Sequence, residues 1–244
     1  RPAGFSSPGA SVLLAAPGVD VPATQLESQD VSAGKTELSG TSFAAPQVAA
    51  TAAMMLETNP ALDYRNVQDI LARTAMPLVA ESADATAGSS GDAIEPAQRN
   101  AADNWNGGGL MFDPRVGFGA LDTDAAVRVA EVWPENATAR EDTEVSARVT
   151  GPLDIPDGTD RLVVPVSLDA ARQFIDVEHV TLDVAIDHGW IGDLSIALRS
   201  PAGTRSVLLD RPGSSPSLVN SRGLDDSDLD FSLSSAHFRG ESSE

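Results

Sequence analysis

The chain contains no cysteine and only three histidines, and aromatic residues make up 5% of it. Without cysteine there is no disulfide framework, no zinc–thiolate site and no thiol nucleophile. Secreted bacterial proteins often lack cysteine, so this absence leaves the compartment open. Basic residues are scarce, 16 against 36 acidic, and the formal net charge is −20. That balance argues against nucleic-acid binding, where phosphates are met by a basic surface. It suits a salt-tolerant extracellular protein able to hold calcium, and equally a plain solvated acidic surface. No segment approaches the roughly 18 uninterrupted apolar residues of a membrane span. The chain opens with Arg1-Pro2, so the lack of a signal peptide carries no information about secretion.

The 244 residues, 41% of them hydrophobic, suffice for one large domain or two small ones. Val12-Leu13-Leu14-Ala15-Ala16, between Pro8-Gly9 and Pro17-Gly18, reads as a buried strand. A polar loop is expected from about Gln25 to Ser39. From Phe43 to Leu56 the chain reads as a helix apolar almost all round, which belongs inside a protein. A second helix is expected from the N-cap Asp63 through Val67, Ile70 and Leu71. Residues 81–104 read as a polar loop or insertion, and a closing helix is expected from Thr123 to Val132. Residues 134–159 hold three prolines and many charges and read as a linker, with one strand near Val145. Beyond it the period changes to two. Val180, Leu182, Val184 and Ile186 alternate with Thr181, Asp183, Ala185 and Asp187, and Leu194, Ile196 and Leu198 repeat the pattern. Ser200-Pro201-Ala202-Gly203 supplies a turn before the strand at Val207-Leu208-Leu209. The second half reads as an all-β sandwich.

The most informative stretch is Gly40-Thr41-Ser42-Phe43-Ala44-Ala45-Pro46. It puts a serine in the first turn of an alanine-rich helix, after a glycine that permits a tight turn. There the free N–H groups of the helix N-terminus can stabilise developing negative charge, so the hydroxyl can serve as a nucleophile. A serine at a helix start is more often an N-cap. A nucleophilic serine also needs a base, and the base needs an orienting partner. His179, His188 and His237 all lie far downstream of Ser42. His179 and His188 fall on a strand and its end, where a structural or surface role is the plainer reading. His188 with Asp193 is a weak pairing on spacing alone.

Together with Ala16-Pro17-Gly18, the serine motif resembles the nucleophile region of the subtilisin-like serine proteases. The resemblance runs from Phe5-Ser6-Ser7-Pro8-Gly9 to Gly117-Phe118-Gly119-Ala120-Leu121-Asp122. It implies Ser42 as the catalytic residue, with Gly40 and Thr41 supporting the turn and the oxyanion site. The family's catalytic aspartate, histidine and oxyanion asparagine precede its serine, and no residue here matches them. His188-Gly189-Trp190-Ile191-Gly192-Asp193-Leu194, Leu198-Arg199-Ser200-Pro201-Ala202-Gly203-Thr204 and His237-Phe238-Arg239-Gly240-Glu241 are similar to the P domain (Homo B domain) of kexin- and furin-like convertases.

The resemblance implies three segments. Residues 1–133 are expected to be the C-terminal half of a subtilase α/β domain, a parallel sheet with helices on both faces. Residues 134–159 are expected to be a linker and the start of the next domain. Residues 160–244 are expected to be a jelly-roll-like P domain, incomplete at its C-terminus. The implied protein is a secreted, bacterial serine endopeptidase acting on polypeptides through an acyl-enzyme on Ser42. This chain alone is expected to be inactive, and its first half poorly folded. Structural calcium is implied by the family, with no ligands assigned. Asp225-Asp226-Ser227-Asp228-Leu229-Asp230 offers oxygen ligands, but it lacks the glycine and terminal glutamate of an EF-hand loop, so a solvated acidic turn is the plainer reading. Asn136-Ala137-Thr138 matches a glycosylation sequon that is common by chance. The alternative function is a non-catalytic scaffold built from a protease remnant and a β-sandwich; an adhesion module rests only on the β half and the charge.

Overall fold

The elements form where local chemistry favours them, and contacts far apart in sequence then join the halves. The structure is a computed structural model that describes residues 2–26, 33–78, 96–102, 108–134, 146–151, 153–156, 161–167, 176–213 and 228–242. Two antiparallel strands come first, β1 (Val21–Leu26) and β2 (Ala33–Leu38), pairing Val21 with Leu38 and Leu26 with Ala33. This ribbon replaces the polar loop expected there. Its strands hold Pro22, Gln25, Lys35 and Glu37, so they lack the alternating apolar pattern of a half-buried strand. Pro22 is tolerated because each strand of a two-stranded ribbon is an edge.

Helix α1 spans Thr41–Thr58, α2 Tyr64–Thr74 and α3 Thr123–Val132. The Asp63 carboxylate caps α2 by accepting from the Arg65 and Asn66 N–H groups, and Asp122 caps α3 by accepting from Ala125. Each cap satisfies donors that the first helical turn leaves orphaned. The three helices bury one cluster made by Met55, Leu62, Ile70, Leu71, Ala126 and Ala130. Polar bonds tie it together: Thr51 and Thr123 share a hydrogen bond at 2.8 Å, and Asn59 Nδ2 donates to the Ala130 carbonyl at 3.0 Å. Of α1 only Thr51 and Met55 are buried, while Ala45, Ala49, Ala53, Met54 and Leu56 are exposed. The helix read as internal thus lies half uncovered among the described residues.

Residues 12–16 form no continuous strand. Leu14 bridges Gly117 and Ala15 bridges Ala120, and the Ala15 bridge is the single parallel pairing among the described residues. The expected parallel sheet is therefore not built by them. An interior strand needs a continuous ladder along its length, and this apolar run forms bridges at two residues only. The short strands β3 (Gln98–Arg99) and β4 (Met111–Phe112) pair antiparallel. Beside them Ala72, Ala75, Ala102, Leu110, Phe112, Phe118 and Ala236 form a second buried cluster. Residues 146–151, 153–156 and 161–167 are exposed and form neither helix nor strand, and Val145 lies outside the described residues.

The second half holds β5 (Val180–Asp187), β6 (Ser195–Arg199), β7 (Arg205–Asp210) and β8 (Asp228–Ser235). Strand β5 alternates half-buried and exposed residues as its two-residue period requires, with Val180, Leu182, Val184 and Ile186 inward. It pairs antiparallel with β8, and β6 with β7. The β6–β7 turn closes with the Gly203 N–H donating to the Ser200 carbonyl at 3.0 Å. Val184 and Ile186 of one sheet and Ile196 and Leu209 of the other pack on the buried Ile191 and Leu194. The two sheets thus share one apolar layer.

Candidate active site

The serine turn is set by backbone contacts before any side chain acts. Gly40 is the N-cap of α1, with φ 154° and ψ 156°, a region essentially confined to glycine. Its N–H donates to the Gly18 carbonyl at 2.8 Å, and a Cβ on Gly18 would lie 3.0 Å from the Gly40 oxygen. Glycine at 18 allows that close approach. Gln47 Nε2 reaches back from α1 to the Pro17 carbonyl at 2.7 Å. The tertiary structure thus brings the Ala16-Pro17-Gly18 run against the serine motif, 22 residues away by the numbering of Gly18 and Gly40. A second contact braces the same turn: the Asp20 N–H donates to Ser39 Oγ at 2.9 Å, and that hydroxyl faces Asp20 Oδ1 at 3.4 Å.

Ser42 is exposed at the second position of α1. It is not the cap, since Gly40 holds that position and no side-chain cap bond forms. The Phe43 N–H already donates to the Gly40 carbonyl at 3.0 Å. The N–H groups of Thr41 and Ser42 therefore point out of an end that carries no acidic side chain in its first turn. An uncapped helix start with an exposed hydroxyl can present a nucleophile and an anion-stabilising amide side by side.

None of the histidines pairs with Ser42. His188 Nδ1 lies 2.9 Å from the Trp190 carbonyl oxygen and 3.2 Å from its N–H, so its recorded partner is Trp190 and not Asp193. His179 is exposed, with Nδ1 3.4 Å from Thr181 Oγ1, and desolvation and then Arg239 lower its pKa. His237 is buried and stacked on Phe112, ring centroids 4.4 Å apart and planes 17° apart. Burial pushes its pKa down to about 4, against a smaller upward pull from Glu241.

His237 marks a junction that sequence reasoning missed, and its centre is the buried Asn100. Asn100 Nδ2 donates to the His237 carbonyl at 2.8 Å and the Arg239 carbonyl at 2.9 Å. Asn100 Oδ1 accepts from the Leu110 and Ala102 N–H groups. Glu241 accepts from the Ala101 N–H at 3.0 Å, and buried Arg239 donates to Gln68 Oε1 at 3.0 Å. Arg65 and Glu178 add an ion pair at 3.4 Å. Residues 236–241 are thus packed into the first half. No local signal singles out Asn100, which sits in a polar stretch.

Calcium finds no obvious cage here. Among the described residues no three Asp, Glu, His or Cys side chains converge to hold a metal, and Asp225, Asp226 and Ser227 lie outside those residues. Nor is any helix among them long and apolar enough to cross a membrane.

Comparison with known proteins bears on the same two halves. Residues 1–119 match the model of the subtilase family, and residues 177–244 match the proprotein convertase P-domain. The chain is thus similar to a subtilase segment joined to a convertase P-domain. It is 34% identical over 179 residues to a PC3-like endoprotease variant B of Hydra vulgaris, covering 71% of this chain and 22% of that protein. Human neuroendocrine convertase 2 is 33% identical over 180 residues, covering 71% of this chain and 25% of its own length. The chain therefore spans about a quarter or less of these relatives. A crystal structure of a serine protease of Aeromonas sobria aligns with a TM-score of 0.60 and 26% identity, over 98% of this chain and 46% of that one.

Proposed function

We propose that Ser42 is the nucleophile of a serine endopeptidase of the kexin-like type. Its Oγ attacks the carbonyl carbon of a peptide bond while a histidine takes the proton. The oxyanion forms against the Ser42 N–H, and the proton passes to the departing amine. Water then hydrolyses the acyl-enzyme ester. The histidine, the aspartate that orients it and the oxyanion asparagine are contributed from outside residues 1–244. Gly40 and Thr41 hold the turn. The observation that carries this reading is an exposed Ser42 on an uncapped helix start whose turn is braced by Gly18.

Polypeptides are the substrate class, in a secreted protein, and the β half completes a jelly-roll-like sandwich against the catalytic part. Calcium belongs to this reading as a structural ion with no ligands assigned; no step is assigned to it. A fluorophosphonate probe tests the proposal. It should label Ser42 in the protein as its gene encodes it, and neither a Ser42→Ala variant nor residues 1–244 alone. Labelling of residues 1–244 alone would overturn the missing-base part. No labelling of the gene-encoded protein would overturn the nucleophile.

A further inference from the structure

One short segment touches both the β half and the serine turn. At one end the Ala10 carbonyl accepts from the Ala236 N–H at 2.9 Å, and the Gly9 N–H donates to the Pro114 carbonyl at 2.9 Å. At the other end the Gly18 carbonyl accepts from Gly40 and the Pro17 carbonyl from Gln47. Between them the Leu13 carbonyl accepts from Phe118 at 2.8 Å, the Ala15 N–H donates to Gly119 at 2.8 Å, and the Ala15 carbonyl accepts from Leu121 at 2.7 Å. Leu13 packs on the cluster that contains Ala236, and Leu14 on the cluster that contains Met55.

We propose that residues 10–18 form a strap through which the 236–241 knot of the P-domain holds the Gly40–Ser42 turn in register. The strap is tied at short intervals, so it has little freedom to absorb a shift at Ala10 before the shift reaches Gly18. Gly18 and Gly40 are in backbone contact, so displacement there moves the cap of α1 directly. Asn100 anchors the other end, because its two Nδ2 bonds fix the carbonyls of His237 and Arg239 just after Ala236. Asn100 and Ala236 are thereby positioning residues for Ser42, and this rests on the reading of Ser42 as nucleophile.

Hydrogen exchange at the Gly40 amide tests the strap without requiring catalysis. The variant is Asn100→Asp in the gene-encoded protein, which keeps the Oδ1 acceptor and loses both Nδ2 donors. The control is Asn59→Ala, which cuts the α1–α3 tie at the far end of the helix. Asn100→Asp should speed Gly40 exchange by roughly tenfold, the scale of one lost hydrogen bond, and Asn59→Ala should not. Fluorophosphonate labelling and kcat should fall in Asn100→Asp with KM held. Equal Gly40 exchange in the two variants overturns the strap. If Asn100→Asp fails to fold, Asn100→Ser, which retains a smaller hydrogen-bonding group, replaces it under the same criteria. Faster Gly40 exchange in Asn100→Asp, where the probe does not label the parent protein, supports the strap while removing the nucleophile.

Discussion

The ring of His237 lies on the ring of Phe112, centroids 4.4 Å apart and nearly parallel, joining a histidine of the second half to the core of the first. Phe118 meets Phe112 edge-on at 5.2 Å, so the three rings form one aromatic cluster. His237 Nε2 is buried with no hydrogen-bond partner among the described residues. A charged imidazolium there would lose its hydration, and the attraction of Glu241 offsets only part of that loss.

Acid should therefore loosen the junction. His237 has its pKa lowered from 6.5 to about 4. The unfolded state protonates first, so this contribution is complete above about pH 6.5 and is lost as pH falls toward 4. The full effect is about 3 kcal/mol, at 1.36 kcal/mol per unit. His237→Phe keeps the stack and removes the titration. Denaturant midpoints at pH 7 and pH 4.5 should differ less in His237→Phe than in the parent; an equal difference would assign the acid sensitivity to other groups.

Gly40→Ala should strain the serine turn. With φ 154° and ψ 156°, residue 40 occupies a region that costs a non-glycine residue about 1–3 kcal/mol. The Cβ itself has room, 3.6 Å from the Phe43 ring. The loss is thus conformational, and thermal denaturation should show it with no cavity or clash in the variant's structure.

Neighbouring methionines of α1 should behave oppositely. Met55 is fully buried, and Met55→Ala should cost about 2–5 kcal/mol. Met54 is 40% exposed, and Met54→Ala should stay within about 0.5 kcal/mol. Chemical denaturation of the pair checks which side of α1 the cluster holds.

Asp63→Ala should cost about 1 kcal/mol by releasing the Arg65 and Asn66 N–H groups from their cap. Asp63→Asn should recover most of it, because an asparagine oxygen also accepts there.

Residues 1–133 expressed alone should bind an apolar dye and lack a sharp thermal transition. They retain the exposed stripe Ala45, Ala49, Ala53, Met54 and Leu56, and lose Ala236 from their second cluster and the His237 ring from Phe112. Cooperative melting of that piece would contradict this.

Elements whose causes are local were legible from residues alone. Asp63 and Asp122 sit immediately before apolar periods of 3.6, and both cap helices. The alternation in residues 180–187 is a property of a strand's pleat, and it appears in β5 as inward and outward faces. The β1–β2 ribbon was not legible, because its residues lack a regular apolar alternation and the pairing of one strand with the other is what defines it. The expectation that Val12–Ala16 is a strand failed for the converse reason: composition favours extended backbone, but pairing depends on which neighbours arrive.

Residue order alone placed Ser42 in the first turn of a helix after a glycine, since capping, turning and helix growth act within a few residues. Only the folded chain decided that Gly40 and not Ser42 is the cap, that Gly18 stands behind it, and that Asn100 grips the backbone of the P-domain 137 residues away at His237. Such contacts join residues that no local rule relates. They form because burying Phe112, Ala236 and the His237 ring together traps backbone polar groups beside them, and Asn100 pairs those of His237, Arg239, Ala102 and Leu110.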